Sequence, residues 1–167
     1  MKEWIPFETV LKNGVILTKE KRYIKIIKVQ PINFNLKSDL EKQAILNSYK
    51  VFLQTCSFPF QILIQSKKQQ LFKNISQIKK QENNHLEKIK IKYIHFLEQL
   101  NEKNQSTFKN FYFIIDSEDK KEKSESSIFQ ELQEKFLKIK EGLSRCGNII
   151  QECSEEETVQ IIHSFFI

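Results

Sequence analysis

Hydrophobic positions repeat at two periods along this chain, and the switches between them mark its elements. Val10–Leu17 and Arg22–Val29 are rich in β-branched residues, with Asn13-Gly14 as a turn signal ahead of Val15. They predict a β-hairpin pairing Gly14–Thr18 with Arg22–Gln30 through Thr18-Lys19-Glu20-Lys21. Ile26 and Ile27 are adjacent, so this strand is covered on both faces or bulged. Pro31 ends it. Ser38-Asp39-Leu40-Glu41 is a capping box, and Leu40, Ala44, Tyr49, Phe52 and Leu53 follow as an apolar stripe at helical spacing. The helix should stop near Gln54–Ser57. Beyond Pro59 the period drops to two: Phe60, Ile62 and Ile64 alternate with Gln61 and Gln65 in a clear strand.

Gln69–Asn101 returns to a spacing of three and four through Leu71, Ile75, Ile78, Ile89, Tyr93, Phe96 and Leu100. Its middle, Glu82–His85, is polar. Either the helix breaks there, or one helix about 50 Å long runs through at ~1.5 Å per residue. Such a helix projects, pairs as a short coiled coil, or lies across the sheet. Phe111–Ile115 (FYFII) is a continuous apolar run closed by Asp116 and reads as a central strand buried on both faces. Ser117–Ser127 is charged and serine-rich, as in a mobile loop. Ser127–Arg145 is helical, with Ile128, Leu132, Phe136, Leu137, Ile139 and Leu143 inward and Gly147 placed as a C′ glycine. Asn148–Glu152 suits a short edge strand, and Ser154–Glu157 is a second capping box opening a final helix. The order ββαβαβαβα predicts an α+β fold: a mostly antiparallel four- to five-stranded sheet with helices packed on one face. No repeat or linker divides residues 1–167, so one domain is expected.

Composition changes this picture little. Of 27 basic residues only Arg22 and Arg145 are Arg, Ala44 is the single alanine, and Ile, Lys, Asn, Gln and Phe abound. This is the bias of an AT-rich genome. Charge adds more. Residues 1–80 carry fifteen basic and five acidic side chains, and residues 81–167 carry twelve and sixteen, for a net +6. The basic half could meet anionic lipid, nucleic acid or an acidic partner, or could be a solvated lysine surface. Three cysteines (Cys56, Cys146, Cys153) without a CxxC argue against a disulfide scaffold and for a reducing cytoplasm. MKEWIPFETV lacks the apolar stretch of a signal peptide, and no apolar run reaches the ~20 residues of a membrane span.

Catalytic signatures are missing. Three glycines (Gly14, Gly142, Gly147) cannot build a phosphate cradle, and there is no GxxxxGK[ST], GxGxxG, HExxH or GxSxG. His85 and His95 are ten residues apart, not four. Cys146, Cys153 and His163 are ligand types that suit zinc, but at no known zinc spacing. Asp116 could be a catalytic carboxylate, but it equally serves to end a strand. No cofactor, metal or enzymatic activity is expected. The remaining candidates are basic. Lys19, Lys21, Arg22, Lys25 and Lys28 cluster on the hairpin, and Lys67, Lys68 and Lys73 follow the third strand. With Tyr23 and Phe34 beside them they could hold single-stranded nucleic acid by stacking, or bind phosphate or an acidic partner.

The stretch Asn13–Phe34 (NGVILTKEKRYIKIIKVQPINF), with the capped helix and Gln61–Ser66 after it, resembles the N-terminal domain of TraC-like conjugative-transfer (type IV secretion) ATPases of Gram-positive mobile elements. The resemblance rests on the order of weak motifs: the strands around Gly14 and Arg22-Tyr23, the Pro31–Phe34 corner, the FYFII strand, the Cys146-Gly147 helix end and the Ser154–Glu157 box. In that family the domain precedes a RecA-like motor and docks it on inner-membrane subunits. The chain to Ile167 carries no Walker motifs, so no ATPase activity transfers. The resemblance implies a non-catalytic docking or assembly domain contacting membrane-proximal channel subunits. It would be cytoplasmic, peripheral to the membrane, with apparatus proteins, an anionic surface or a second copy as partners. The alternative is a basic nucleic-acid-binding accessory protein.

Overall fold

A computed structural model describes residues 6–11, 13–68, 78, 87–103, 107–118 and 124–165. They fall into two compact units, Met1–Ile64 with Phe111–Ile167, and Gln65–Asn110. The elements are β1 (Phe7–Val10), β2 (Val15–Thr18), β3 (Arg22–Gln30), a 3-10 turn (Phe34–Leu36), α1 (Asp39–Thr55), β4 (Gln61–Lys68), α2 (Glu87–Lys103), β5 (Thr107–Glu118), α3 (Glu125–Arg145), β6 (Ile149–Glu152) and α4 (Glu155–His163).

The hairpin forms as its sequence predicts. Lys21 donates its backbone N–H to the Thr18 carbonyl at 3.0 Å and takes a left-handed φ of 61°. Arg22 then donates its N–H to Thr18 Oγ1, and Val15 pairs with Lys25 across the ladder. This is a turn followed by one left-handed residue, which matches the twist of the strands. β3 becomes the centre of a mostly antiparallel sheet of order β1-β2-β3-β5-β4. One of its edges pairs with β2 through Tyr23–Lys25 and with β6 through Ile27–Gln30, while β5 runs along the other from Arg22 to Val29. Ile26 and Ile27 are both buried, on opposite faces and without a bulge in the β3–β5 register. Among the described residues the sheet has six strands, one beyond the expected range. The added strand is β1, four residues (FETV) too short to show a period.

On the first face, Tyr23, Ile27, Val29, Phe113 and Ile115 meet α3 and α1. α3 has 21 residues and α1 has 17, so they run about 31 and 26 Å, enough to cross the sheet. α3 buries Ile128, Leu132, Phe136, Ile139 and Leu143, while Leu137, expected inward, is 52% exposed. The two helices touch at Gly142, where any Cβ would lie 2.3 Å from Phe52 Cδ2. Gly147, at φ 89°, ends α3 while the Asn148 N–H returns to the Leu143 carbonyl. On α1 two of the five expected stripe residues turn inward. Phe52 is buried and Tyr49 half-buried, but Leu40, Ala44 and Leu53 face solvent because the sheet and α3 contact only one side of the helix.

The expectation of helices on one face holds for α1 and α3. α4 takes the second face, where Ile161 packs with Ile16, Ile26, Tyr112 and Cys153. Its anchor is Thr158, fully buried, whose Oγ1 donates to the Gly14 carbonyl at 3.2 Å. Gly14 has φ 72°, and a Cβ there would stand 2.3 Å from the Cys153 carbonyl oxygen. Only glycine lets the β1–β2 turn approach the β6–α4 junction so closely.

In the second unit α2 buries Leu97 against Ile94 and Ile78. A straight helix would hold residues 78 and 97 about 28 Å apart, so the unbroken 50 Å helix is overturned. The polar stretch Glu82–His85, where a break was expected, lies outside the described residues, as do residues 119–123 of the expected Ser117–Ser127 loop, whose ends belong instead to β5 and to the capped start of α3. Ile89, Tyr93 and Phe96, expected on an apolar stripe, are at least half exposed. Among the described residues no helix is long and apolar enough to cross a membrane.

Candidate functional site

The two faces of the sheet are covered unequally. α4 has nine residues and is about 13 Å long, whereas neighbouring strands stand ~4.8 Å apart. Among the described residues it packs over β1, β2 and part of β3 and leaves the second face partly open around Ile24, Leu63 and Ile114. The result is a cleft of about 750 Å³ within the first unit. Its floor is Ile24, Ile26 and Ile114, and its walls are Phe7, Leu63 and the α4 end with Ile162 and Phe165. This apolar width comes from the β3 pattern. Ile24 and Ile26 point to the second face because Tyr23, Lys25 and Ile27 point to the first.

One end of the cleft is polar and internally compensated. Arg22 Nη2 donates to Asp116 Oδ2 from the neighbouring strand, in register with the Ile24–Asp116 pair. Lys135 Nζ donates to the Asp116 carbonyl at 2.7 Å and pairs with Glu131 at 2.6 Å, and Ser117 Oγ donates to Glu131 Oε2 at 3.0 Å. Two cations face two carboxylates. Asp116 does not end the strand, since β5 runs on to Glu118; it lies within the ladder as an ion-pair partner of Arg22, not as an isolated carboxylate.

The basic candidates among the described residues do not converge. Lys21, at the hairpin tip beside exposed Lys19, pairs with Glu8 at 3.2 Å. Arg22 is held by Asp116. Lys25, 5% exposed, points to the first face, where Glu152 and Gln133 accept from its Nζ at 3.1 Å each and the Phe136 ring lies 5.1 Å away. A surface ligand cannot reach it. Lys28 lies half-buried on the second face, and Lys67 half-buried on β4. Lys68 belongs to β4, and Lys73 lies outside the described residues. Tyr23, considered for base stacking, is buried edge-on against Phe129 at 5.9 Å.

The zinc possibility separates as well. Cys146 caps α3 and donates its thiol to the Gly142 carbonyl, Cys153 is buried under α4, and His163 is exposed. Among the described residues no three His, Cys, Asp or Glu side chains gather as metal ligands. Burial pushes the Cys153 thiol up to about 11, aided by nearby Glu157 and opposed by Lys28. Such a thiol stays protonated and unreactive near neutrality.

The cleft itself escaped the sequence reading. Its signal was present in Ile24, Ile26, Ile114 and Leu63, an apolar second face, but how little of that face the last helix covers depends on packing.

The model of the Archaeal TraC-like domain matches residues 8–166 of this chain. No curated protein and no solved structure matches it. The match bears out the TraC-like resemblance and does not extend to its Gram-positive setting.

Proposed function

The chain belongs to the archaeal TraC-like domain family, a conjugation-related class, and from that premise we propose that it is a non-catalytic docking domain of a DNA-transfer apparatus. Its contact is with a membrane-proximal subunit of that apparatus, at the cytoplasmic face of the membrane. The observation that carries this reading beyond the family is the open apolar cleft between α4 and the β4 edge, with its charges already paired at one end. Burying apolar area at ~25 cal/mol per Å² supplies affinity, and a compensated polar end adds orientation without an uncancelled charge. The same pairing argues against nucleic acid, since Lys21, Arg22 and Lys25 already have protein carboxylates as partners.

The test is retention of purified apparatus subunits by the immobilised full chain, repeated with Phe165→Glu and Ile24→Lys. Retention of a membrane-proximal subunit that both substitutions abolish supports the reading. If no subunit and no anionic vesicle is retained at low salt, or if retention ignores both substitutions, the reading is wrong. If single-stranded DNA binds instead, with affinity dropping by orders of magnitude between about 50 and 200 mM salt, the nucleic-acid alternative replaces it.

A further inference from the structure

Among the described residues β4 is the last strand of the sheet on the β5 side. Its segment Gln61-Ile62-Leu63-Ile64-Gln65 reads the same in both directions. We propose that this edge pairs with the same edge of a second copy of the chain, antiparallel and two-fold symmetric about Leu63, so that two sheets become one. In that register Ile62 lies opposite Ile64 of the second copy, and Leu63 opposite its own counterpart. A closed two-fold interface brings one patch against itself, and a palindromic strand run antiparallel is complementary to itself at every position.

The exposure pattern fits this occupant. Ile62 and Ile64 are 59% and 54% exposed, on the face where Phe60 stacks on Phe113 with ring centroids 5.0 Å apart. Folded proteins usually guard a sheet edge with lysine, proline or a bulge. Here those devices stand outside the five-residue segment, as Pro59 before it and Lys67 after it. In the proposed register Lys67 lies opposite Pro59 of the second copy, so no like charges meet. The adjoining flank of α1 adds two exposed leucines. Val51 and Thr55 line a recess with Gly142 and Arg145 of α3. Leu46 and Leu53, about half a turn around the helix, are each 57% exposed. Phe52 holds α1 over Phe60 and Phe113, which puts that flank on the β4 side. A five-residue ladder alone falls short of the ~800 Å² per partner of a standard interface. With the α1 flanks added, a monomer–dimer equilibrium in the micromolar range is expected.

Sedimentation velocity of the full chain, from micromolar to sub-millimolar concentration, tests this. The native chain should form a dimer and nothing larger. Ile62→Lys alone and Ile64→Glu alone should each weaken it by about tenfold or more, because each sets a charge opposite an isoleucine twice per dimer. The double variant Ile62→Lys/Ile64→Glu sets opposite charges face to face at both places, and should restore a dimer that added salt weakens. Both sites are more than half exposed, and circular dichroism confirms that the variants fold. Independently, Leu63→Cys should give a disulfide-linked dimer under mild oxidation that the native chain does not form. Cα atoms facing across an antiparallel ladder stand ~4.5–5.5 Å apart, within disulfide reach. A monomer at every concentration, single variants that dimerise normally, a double variant that stays monomeric, or open-ended assembly would each overturn the proposal.

Discussion

Lys25 on β3 and Glu152 on β6 meet at 3.1 Å beneath α3, the lysine 5% exposed and the glutamate side chain 40% exposed. Gln133 of α3 closes the triangle. It accepts from Lys25 Nζ and donates through Nε2 to the other Glu152 oxygen at 3.3 Å. The pair thus ties helix, central strand and edge strand together. Lys25→Ala removes the ammonium and leaves the space of its stem, and should cost about 2–4 kcal/mol. Lys25→Met keeps the stem and lets half-exposed Glu152 turn to water, so its cost should be about 1 kcal/mol or less. Denaturant midpoints at unchanged m-value separate the two.

The same residue marks where the sequence stops being legible. In the sequence Lys25 clusters with Lys19, Lys21, Arg22 and Lys28 within ten positions. Strand geometry sends Lys25 to one face and Arg22 and Lys28 to the other. Local chemistry read well: the Ser38 and Ser154 boxes, the C′ glycine at Gly147 and the hairpin all form as expected. Each of these is settled by residues a few positions apart. What failed needed distant partners. Leu40 and Leu53 suit a buried stripe, yet face solvent because α3 and the sheet contact the other side of α1. β1 exists only as a partner of β2, and the cleft only because α4 is short.

Gly142 sets the distance between α1 and α3. Gly142→Ala would gain about 1 kcal/mol of helix propensity, but its Cβ would lie 2.3 Å from Phe52 Cδ2. The Phe52 ring cannot withdraw, being 4% exposed and packed against Phe60 and Phe113. A net loss of about 1–3 kcal/mol is expected, read as a lower thermal midpoint. An unchanged midpoint would mean that the helices separate freely.

The α1 capping box should give a pH signature. The Ser38 backbone N–H and hydroxyl, then Lys37, hold the Glu41 carboxyl down to about 2 from an ordinary 4.5. A carboxyl with a lowered folded pKa stabilises the fold above its unfolded pKa and loses that contribution as protons bind. Stability should therefore fall between pH about 4.5 and about 2 through this group. In Glu41→Gln that part of the acid loss should vanish while the rest of the profile stays. Parallel acid profiles for the two proteins would place the loss in other carboxylates.

The α4 wall of the cleft can be tested through its thiols. Cys153 and Cys146 are buried and Cys56 is half-buried. Burial raises the Cys146 thiol pKa and lifts that of Cys153 to about 11, so at pH 8 only about one Cys153 in a thousand is a thiolate. A thiol-specific disulfide reagent at pH 8 should therefore modify Cys56 quickly and the other two only on unfolding, with the sites read by peptide mass spectrometry. The linkage has the opposite sense from Glu41. Ionisation favours the unfolded chain, so this contribution is complete below pH about 9 and is lost as pH climbs toward about 11. Cys153→Ala should flatten that alkaline loss. Fast modification of Cys153 at pH 8 with an unchanged circular dichroism spectrum would mean that α4 lifts from the sheet in the folded protein. The cleft would then be a transient opening, not a standing wall-and-floor site.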